Sequence, residues 1–305
     1  MRAIEFTPIV RDYIERYERV GRRDAYLWRW AVRGLELTQL SLVPREWAEP
    51  LADTKLLAVI LNVLVDDLAD ERGSEPLLSA ALSIPFSAPG AARPEVPEEL
   101  RAYFELIADL WGELERRCRA LPGYADYRML LEFDFRQVFN AMRYGLLLHW
   151  QPGLANPAEH ELYPPHNMNM VVFGTMDLMA GSGLDAGEIG PLRGMLWRAQ
   201  CMGQLSNMLV TWEREVPSRD FSSRVFALAL AEGVVSADEL LRLPGSAIIE
   251  RIRGSNIEQR LLEQWLGLEA ELRAVMGRLP SLDTQRYIEG LRSLLGMTLA
   301  SRYHL

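Results

Sequence analysis

Residues 53–71 read DTKLLAVILNVLVDDLADE, a stretch that carries both a fold class and a first sign of chemistry. Leu56, Ile60, Val63 and Leu64 recur at helical spacing, which predicts a helix over 53–71 with one apolar stripe toward a core. Continued along the same face, the stripe runs into Asp67 and Asp70, with Asp66 beside them. Carboxylates on the extension of a core-facing stripe are costly unless something positive meets them. Asp66 and Asp70 lie one turn apart, so their oxygens can converge on the same ions. Magnesium is a hard cation that prefers oxygen ligands at about 2.1 Å and usually keeps waters and substrate phosphates. The bland alternative is a solvated helix end with Arg72 paired to the acids. A DDxxD match alone does not decide between the two.

Outward from this stretch the same periodicity dominates, and alternating strand patterns bounded by hairpin signals are absent. Helices are predicted at 8–20, 24–42, 97–120, 124–150, 167–181, 188–216, 222–231, 236–243, 246–277 and 282–303. Pro44 and Pro50 bracket one loop, Pro85 to Pro97 reads as a linker, Pro152 to Pro165 as irregular, and Pro217 ends a long helix. No composition shift splits the chain, so residues 1–305 read as a single all-α domain. With 305 residues, 49% of them apolar, such a domain can bury a deep cavity.

Net charge is −9 without a concentrated basic patch, which argues against a nucleic-acid partner. Cys118 and Cys201 are too few and too far apart for a disulfide framework or a metal motif. The most apolar run, Leu56 to Val65, is far shorter than a bilayer span, and the N-terminus lacks the apolar core of a signal peptide. A soluble, cytoplasmic protein is expected.

The second candidate site lies in GQLSNMLVTWERE, residues 203–215. Asn207, Thr211 and Glu215 are spaced i, i+4, i+8 and drift only about 40° per step around a helix, so their oxygens share one face. An amide, a hydroxyl and a carboxylate form a low-charge site suited to an ion that also holds phosphate oxygens. Gly203 leaves room for a ligand one turn earlier, and Arg214 could touch a phosphate. Such a set is common by chance. Two oxygen-rich sites in one helical chain, about 140 residues apart with the acidic one first, are not.

At this point the sequence resembles the class I terpene synthases. Their DDxxD motif matches Asp66, Asp67 and Asp70, and their (N/D)xxx(S/T)xx(K/R)E motif matches Asn207, Thr211, Arg214 and Glu215. Arg302-Tyr303 matches the Arg-Tyr pair that many bacterial members place near the C-terminus to meet the diphosphate. The run Gly203 to Asn207 and the Ser-Arg-Tyr ending look most like bacterial ent-kaurene-synthase-like, labdane-related diterpene synthases.

The resemblance implies a helical bundle around a deep central cavity and a diterpene synthase, a lyase acting on a C20 prenyl diphosphate. A labdane-type bicyclic such as copalyl diphosphate is favoured, with geranylgeranyl diphosphate next. Asp66 and Asp70 would hold two of three magnesium ions, and Asn207, Thr211 and Glu215 the third, with Arg214, Arg302 and Tyr303 on the diphosphate. Phe135, Phe139, Phe173 and Trp212 are the expected pocket aromatics, since ring faces stabilise carbocations. No DxDD motif occurs, so a separate class II cyclase or prenyl diphosphate synthase would supply the substrate. A homodimer is an open alternative to the monomer.

Two departures stand out. The family's arginine diphosphate sensor has no counterpart in Glu161 to Met170, which leaves Arg214, Arg302 and Arg143 for the task. Met208 stands where many relatives have an aspartate. Met168, Met170, Met176 and Met179 surround Gly174 and suggest a soft wall with a helix break, while His149 and His160 read as surface or loop residues. The rival functions are a sesquiterpene cyclase acting on farnesyl diphosphate, a prenyltransferase of the same fold and a non-catalytic helical binding protein.

Overall fold

The computed structural model describes residues 5–70, 74–87 and 94–302, apart from the side chain of Asp70. Every regular element among them is helical. In chain order the α-helices are α1 (Pro8–Glu18), α2 (Ala25–Thr38), α3 (Arg45–Asp70), α4 (Glu75–Ser83), α5 (Arg101–Arg119), α6 (Tyr124–Trp150) and α7 (Pro157–Leu162). They continue as α8 (Met170–Ala180), α9 (Ile189–Glu215), α10 (Arg224–Ala231), α11 (Ala237–Arg242), α12 (Gly245–Arg253), α13 (Ile257–Val275) and α14 (Thr284–Leu299). Some starts are marked by capping side chains. The Asp24 carboxylate accepts the Tyr26 N–H at 2.6 Å, and Ser236 with Glu239 forms a reciprocal capping box. None of the described helices is long and apolar enough to cross a membrane.

Several elements differ from the sequence reading, and the helices predicted over 24–42 and 282–303 end already at Thr38 and Leu299. The helix predicted at 53–71 begins at Arg45 and runs through Pro50, which forfeits one intrahelical hydrogen bond. The next turn is anchored by the buried Leu51, Thr54 and Lys55, and packing overrides the local signal. The helix predicted over 246–277 is two, α12 and α13, parted at Gly254, whose N–H closes back on the Glu250 carbonyl at 2.9 Å. Short helix α4 lies where no helix was predicted and α7 within the stretch read as irregular, each carrying proline in its first turn, where no N–H is missed.

The chain divides into two compact units, Met1–Asp134 with Val172–Leu184, and Phe135–Val171 with Asp185–Leu305. In the first unit α3 is the central element, packed by α1, α2, α4 and α5. Its Leu56, Leu57, Ile60, Leu61, Leu64 and Leu68 are all buried, far more than one stripe. The chain's single lysine, Lys55, is buried there too, and its Nζ lies 2.5 Å from Asp177 Oδ1. Asp177 also accepts the Leu40 N–H at 3.1 Å. Burial pushes the Asp177 carboxyl up, and the Lys55 charge and hydrogen bond oppose that push.

In the second unit α9 is central, packed by α13, α14 and the single turn Pro164–Met168. Trp265 of α13 donates its Nε1 proton to Ser206 at 3.1 Å, and Glu188 accepts the Ser281 N–H at 3.1 Å.

Removing Lys55 leaves Asp177 buried without its cation. Lys55→Ala should cost about 3–5 kcal/mol in urea unfolding. Lys55→Met with Asp177→Asn, which keeps an oxygen for Leu40, should recover most of that loss.

Candidate active site

In the first unit the last two turns of α3 carry the acidic motif. Asp67 is 7% exposed and has both oxygens engaged. Arg23 Nη2 donates to Oδ1 at 3.2 Å, and the Tyr17 hydroxyl donates to Oδ2 at 3.3 Å. The cation that meets the acids therefore comes from the connection between α1 and α2. Asp66 is half-buried, and Arg23 lies within the field of its carboxylate as well. Asp70 closes the helix with its backbone, while its side chain and residues 71–73, including Arg72, lie outside the described residues. On a regular helix Asp66 and Asp70 stand about 100° and 60° round from Asp67, both on the same side of it.

In the second unit Asn207, Thr211 and Glu215 lie on the unbroken α9 and share a face, as their spacing predicts. Asn207 and Glu215 are half-buried. Thr211 is 3% exposed, and its hydroxyl has no hydrogen-bond partner among the described residues. Buried threonines within helices usually donate to the carbonyl four residues back. The buried Thr54 and Thr298 do so here at 2.7–2.8 Å and Thr175 donates to Asp134 at 2.6 Å, which sets the Thr211 hydroxyl apart from them. Such an oxygen, between an amide and a carboxylate, fits the coordination of a hard cation.

Other expectations meet a different placement. The space beside Gly203 is filled, since a Cβ there would stand 3.3 Å from Met170 Sδ with Met168 close behind, so it is no ligand clearance. The break expected at Gly174 falls earlier, at left-handed Asn169, and α8 runs whole from Met170. Trp212 is fully buried, donates to Glu258 at 2.7 Å and meets Phe226 edge-on. Arg302 is bound to Glu213 at 3.2 Å and to Glu258 at 2.8 Å. Glu213 sits roughly 160° or more round α9 from Thr211 and Glu215, so Arg302 is held on the back of the helix. Tyr303 lies outside the described residues. Arg214 and Arg143 are exposed. Phe135 and Phe139 are buried neighbours with ring centroids 6.1 Å apart, and Phe173, in the first unit, is half-buried.

The stretch without a sensor arginine does receive a guanidinium, from a helix the motif does not cover. Arg224 of α10 is nine-tenths buried and pairs with Glu161. A groove of about 410 Å³ in the second unit runs between Trp197, Cys201 and Gln204 of α9, Gln264 and Leu268 of α13, and Arg224. None of the expected pocket aromatics borders it. His160, read as a surface or loop residue, is instead fully buried in α7 against Tyr144, centroids 5.6 Å apart, because α7 folds onto α10. Neither of its ring nitrogens has a partner among the described residues. Burial, then the Arg224 charge, hold its pKa down at about 4.

Among the described residues no three acidic, histidine or cysteine groups gather as metal ligands. The α9 face contributes one carboxylate beside an amide and a hydroxyl, and the side chain of Asp70 lies outside the described residues.

No protein-family model matches the sequence, and no curated protein matches it either. The structure does have a solved counterpart. It is similar to linalool/nerolidol synthase from Streptomyces clavuligerus in complex with 2-fluorogeranyl diphosphate, with a TM-score of 0.53 at 15% identity. The match covers 98% of this chain and 100% of that one. Over its described residues the chain therefore has the all-α fold of a class I terpene synthase.

His160 gives the second unit a pH dependence of known sign. Its folded pKa lies below the ordinary value of 6.5, so the unfolded chain takes up the proton first as pH falls. Stability is complete above about pH 6.5 and declines toward pH 4, by about 3 kcal/mol in all. Melting temperatures across that window should fall more steeply for the parent than for His160→Phe.

Proposed function

We propose that the protein is a magnesium-dependent class I terpene synthase that ionises a C20 prenyl diphosphate and steers the resulting carbocation. The observation that carries this reading is the Asn207, Thr211, Glu215 face of α9, with its buried, unpartnered hydroxyl. Asp66 and Asp70 would hold two magnesium ions and the α9 triad a third. When bound, magnesium offsets the charge that develops on the departing diphosphate.

The chain's own residues do the rest. Arg214, exposed beside Glu215, donates to diphosphate oxygens. Arg302 joins it only by exchanging Glu213 and Glu258 for the diphosphate, and Tyr303 adds a hydroxyl. Phe135, Phe139 and Phe173 offer ring faces to the cation, each worth about 2 kcal/mol or more once water is excluded. Trp212, hydrogen-bonded and packed behind the triad, shapes the wall from the core side.

The C20 assignment rests on the run Gly203 to Asn207 and the Ser301-Arg302-Tyr303 ending, with a bicyclic labdane-type diphosphate favoured. A separate enzyme would then supply it. A shorter linear prenyl diphosphate is the second reading, favoured by the 2-fluorogeranyl diphosphate in the structure this chain is similar to.

Thr211→Val keeps volume and removes only the unpartnered hydroxyl. Its melting temperature should equal or exceed the parent's, since an unsatisfied buried group is lost. Turnover at limiting magnesium should fall. Asp66→Ala and Asn207→Ala should lower kcat roughly 100-fold or more with little change in melting. Retained turnover in either would make these residues structural.

Product analysis after separate incubation with geranyl, farnesyl, geranylgeranyl and copalyl diphosphates checks the substrate. Copalyl diphosphate should be consumed fastest, and clean conversion of farnesyl diphosphate alone would overturn the C20 assignment.

A further inference from the structure

The connection between α1 and α2 is built around one side chain. Tyr17 is fully buried and meets Trp28 edge-on at 4.9 Å between centroids. Its carbonyl accepts the Val20 N–H at 2.9 Å and the Gly21 N–H at 2.7 Å, turning the chain back over its own ring. A Cβ on Gly21 would stand 2.2 Å from Tyr17 Cζ, so only glycine permits the crossing. As the chain leaves the ring, the Arg23 N–H donates to the Tyr17 hydroxyl at 3.2 Å. That hydroxyl and the Arg23 guanidinium then take the two oxygens of Asp67.

The protonation of these donors is secure. Burial, then the Asp67 charge, push the Tyr17 phenol up to about 12. Burial works against the Arg23 charge, yet the fields of Asp67 and then Asp66 hold its proton more firmly than usual.

We propose that Arg23 and Tyr17 are positioning residues for the acidic end of α3, acting through Asp67 to present Asp66 and Asp70 to magnesium. Asp67 is then a strut between the α1–α2 connection and the helix. A last helical turn has carbonyls without intrahelical donors and frays readily. Pinning Asp67 fixes the rotation of that turn, and Asp66 and Asp70 stand to one side of it. A supporting group that orients a ligand typically contributes 10–100-fold to metal affinity. The proposal rests on the magnesium-dependent reading above.

The test follows the melting temperature of the full chain as magnesium is titrated in the presence of inorganic pyrophosphate, alongside the magnesium dependence of turnover. Arg23→Gln should need about tenfold more magnesium for half of the thermal shift. Arg23→Lys should recover most of that, and Tyr17→Phe should show a smaller change in the same direction. Asp67→Asn should resemble Arg23→Gln, and the double variant should be no worse than either single one. A magnesium requirement in Arg23→Gln equal to or below the parent's overturns the proposal. So does an Asp67→Asn defect far larger than that of Arg23→Gln, which would make Asp67 itself a ligand. Should Arg23→Gln fail to fold, unchanged requirements in both Arg23→Lys and Tyr17→Phe overturn it. A parent protein with no magnesium and pyrophosphate shift sinks the synthase reading and this assignment together, whereas a normal parent shift retained in every variant sinks this assignment alone.

Discussion

A carboxylate taken out of water has to be met by a cation or by donors, and in the first unit that requirement joins segments far apart in the chain. Lys55 and Asp177 are 122 positions apart and meet in the interior, where Asp177 also catches the backbone beyond α2. Arg23 and Asp67 are 44 positions apart and meet at the end of the same central helix. Thr175 adds a hydrogen bond to the buried Asp134 at 2.6 Å. Helix α3 thus carries a fixed charge contact toward its middle and another near its end, and the leucines between them fill the core. Its acidic end is held by packing and by counter-charge together.

Helix α9 organises the second unit by dividing its faces. On the back, Glu213 takes Arg253 and Arg302, Trp212 takes Glu258, and Ser206 takes Trp265, so polar groups there are satisfied within the protein. On the front, a buried threonine hydroxyl has no such partner among the described residues. A core position would gain from valine there, whereas the buried Thr54 and Thr298 are satisfied by their own backbone and Thr175 by Asp134. The back also holds Arg302, whose Nη2 donates to both Glu213 and Glu258.

Where the local reading failed, it failed mostly because a local signal was outweighed by burial or by a distant partner. Pro50 reads as a breaker, yet the buried Leu51 and Thr54 make continuing α3 worth more than the one hydrogen bond lost. Gly203 reads as clearance, but Met168 and Met170, thirty-odd residues earlier, close it. His160 reads as a loop histidine because it lies among prolines, and its burial depends on α10, which a sixty-residue separation hides. Glycine at 254, conversely, splits a long helix that periodicity alone runs together.

What the sequence alone determined is whatever the helix repeat dictates. Residues four apart share a face in any helix, so the union of Asn207, Thr211 and Glu215 and the pairing of Asp66 with Asp70 were legible without coordinates. So was the all-α class, from periodicity sustained along 305 residues. Which charge answers which was decided only by the tertiary structure. Arg23 engages Asp67, Arg224 answers Glu161, and Glu213 with Glu258 holds Arg302. Spacing sets direction around one helix axis. An ion pair needs two side chains within about 4 Å, and that depends on how separate helices pack.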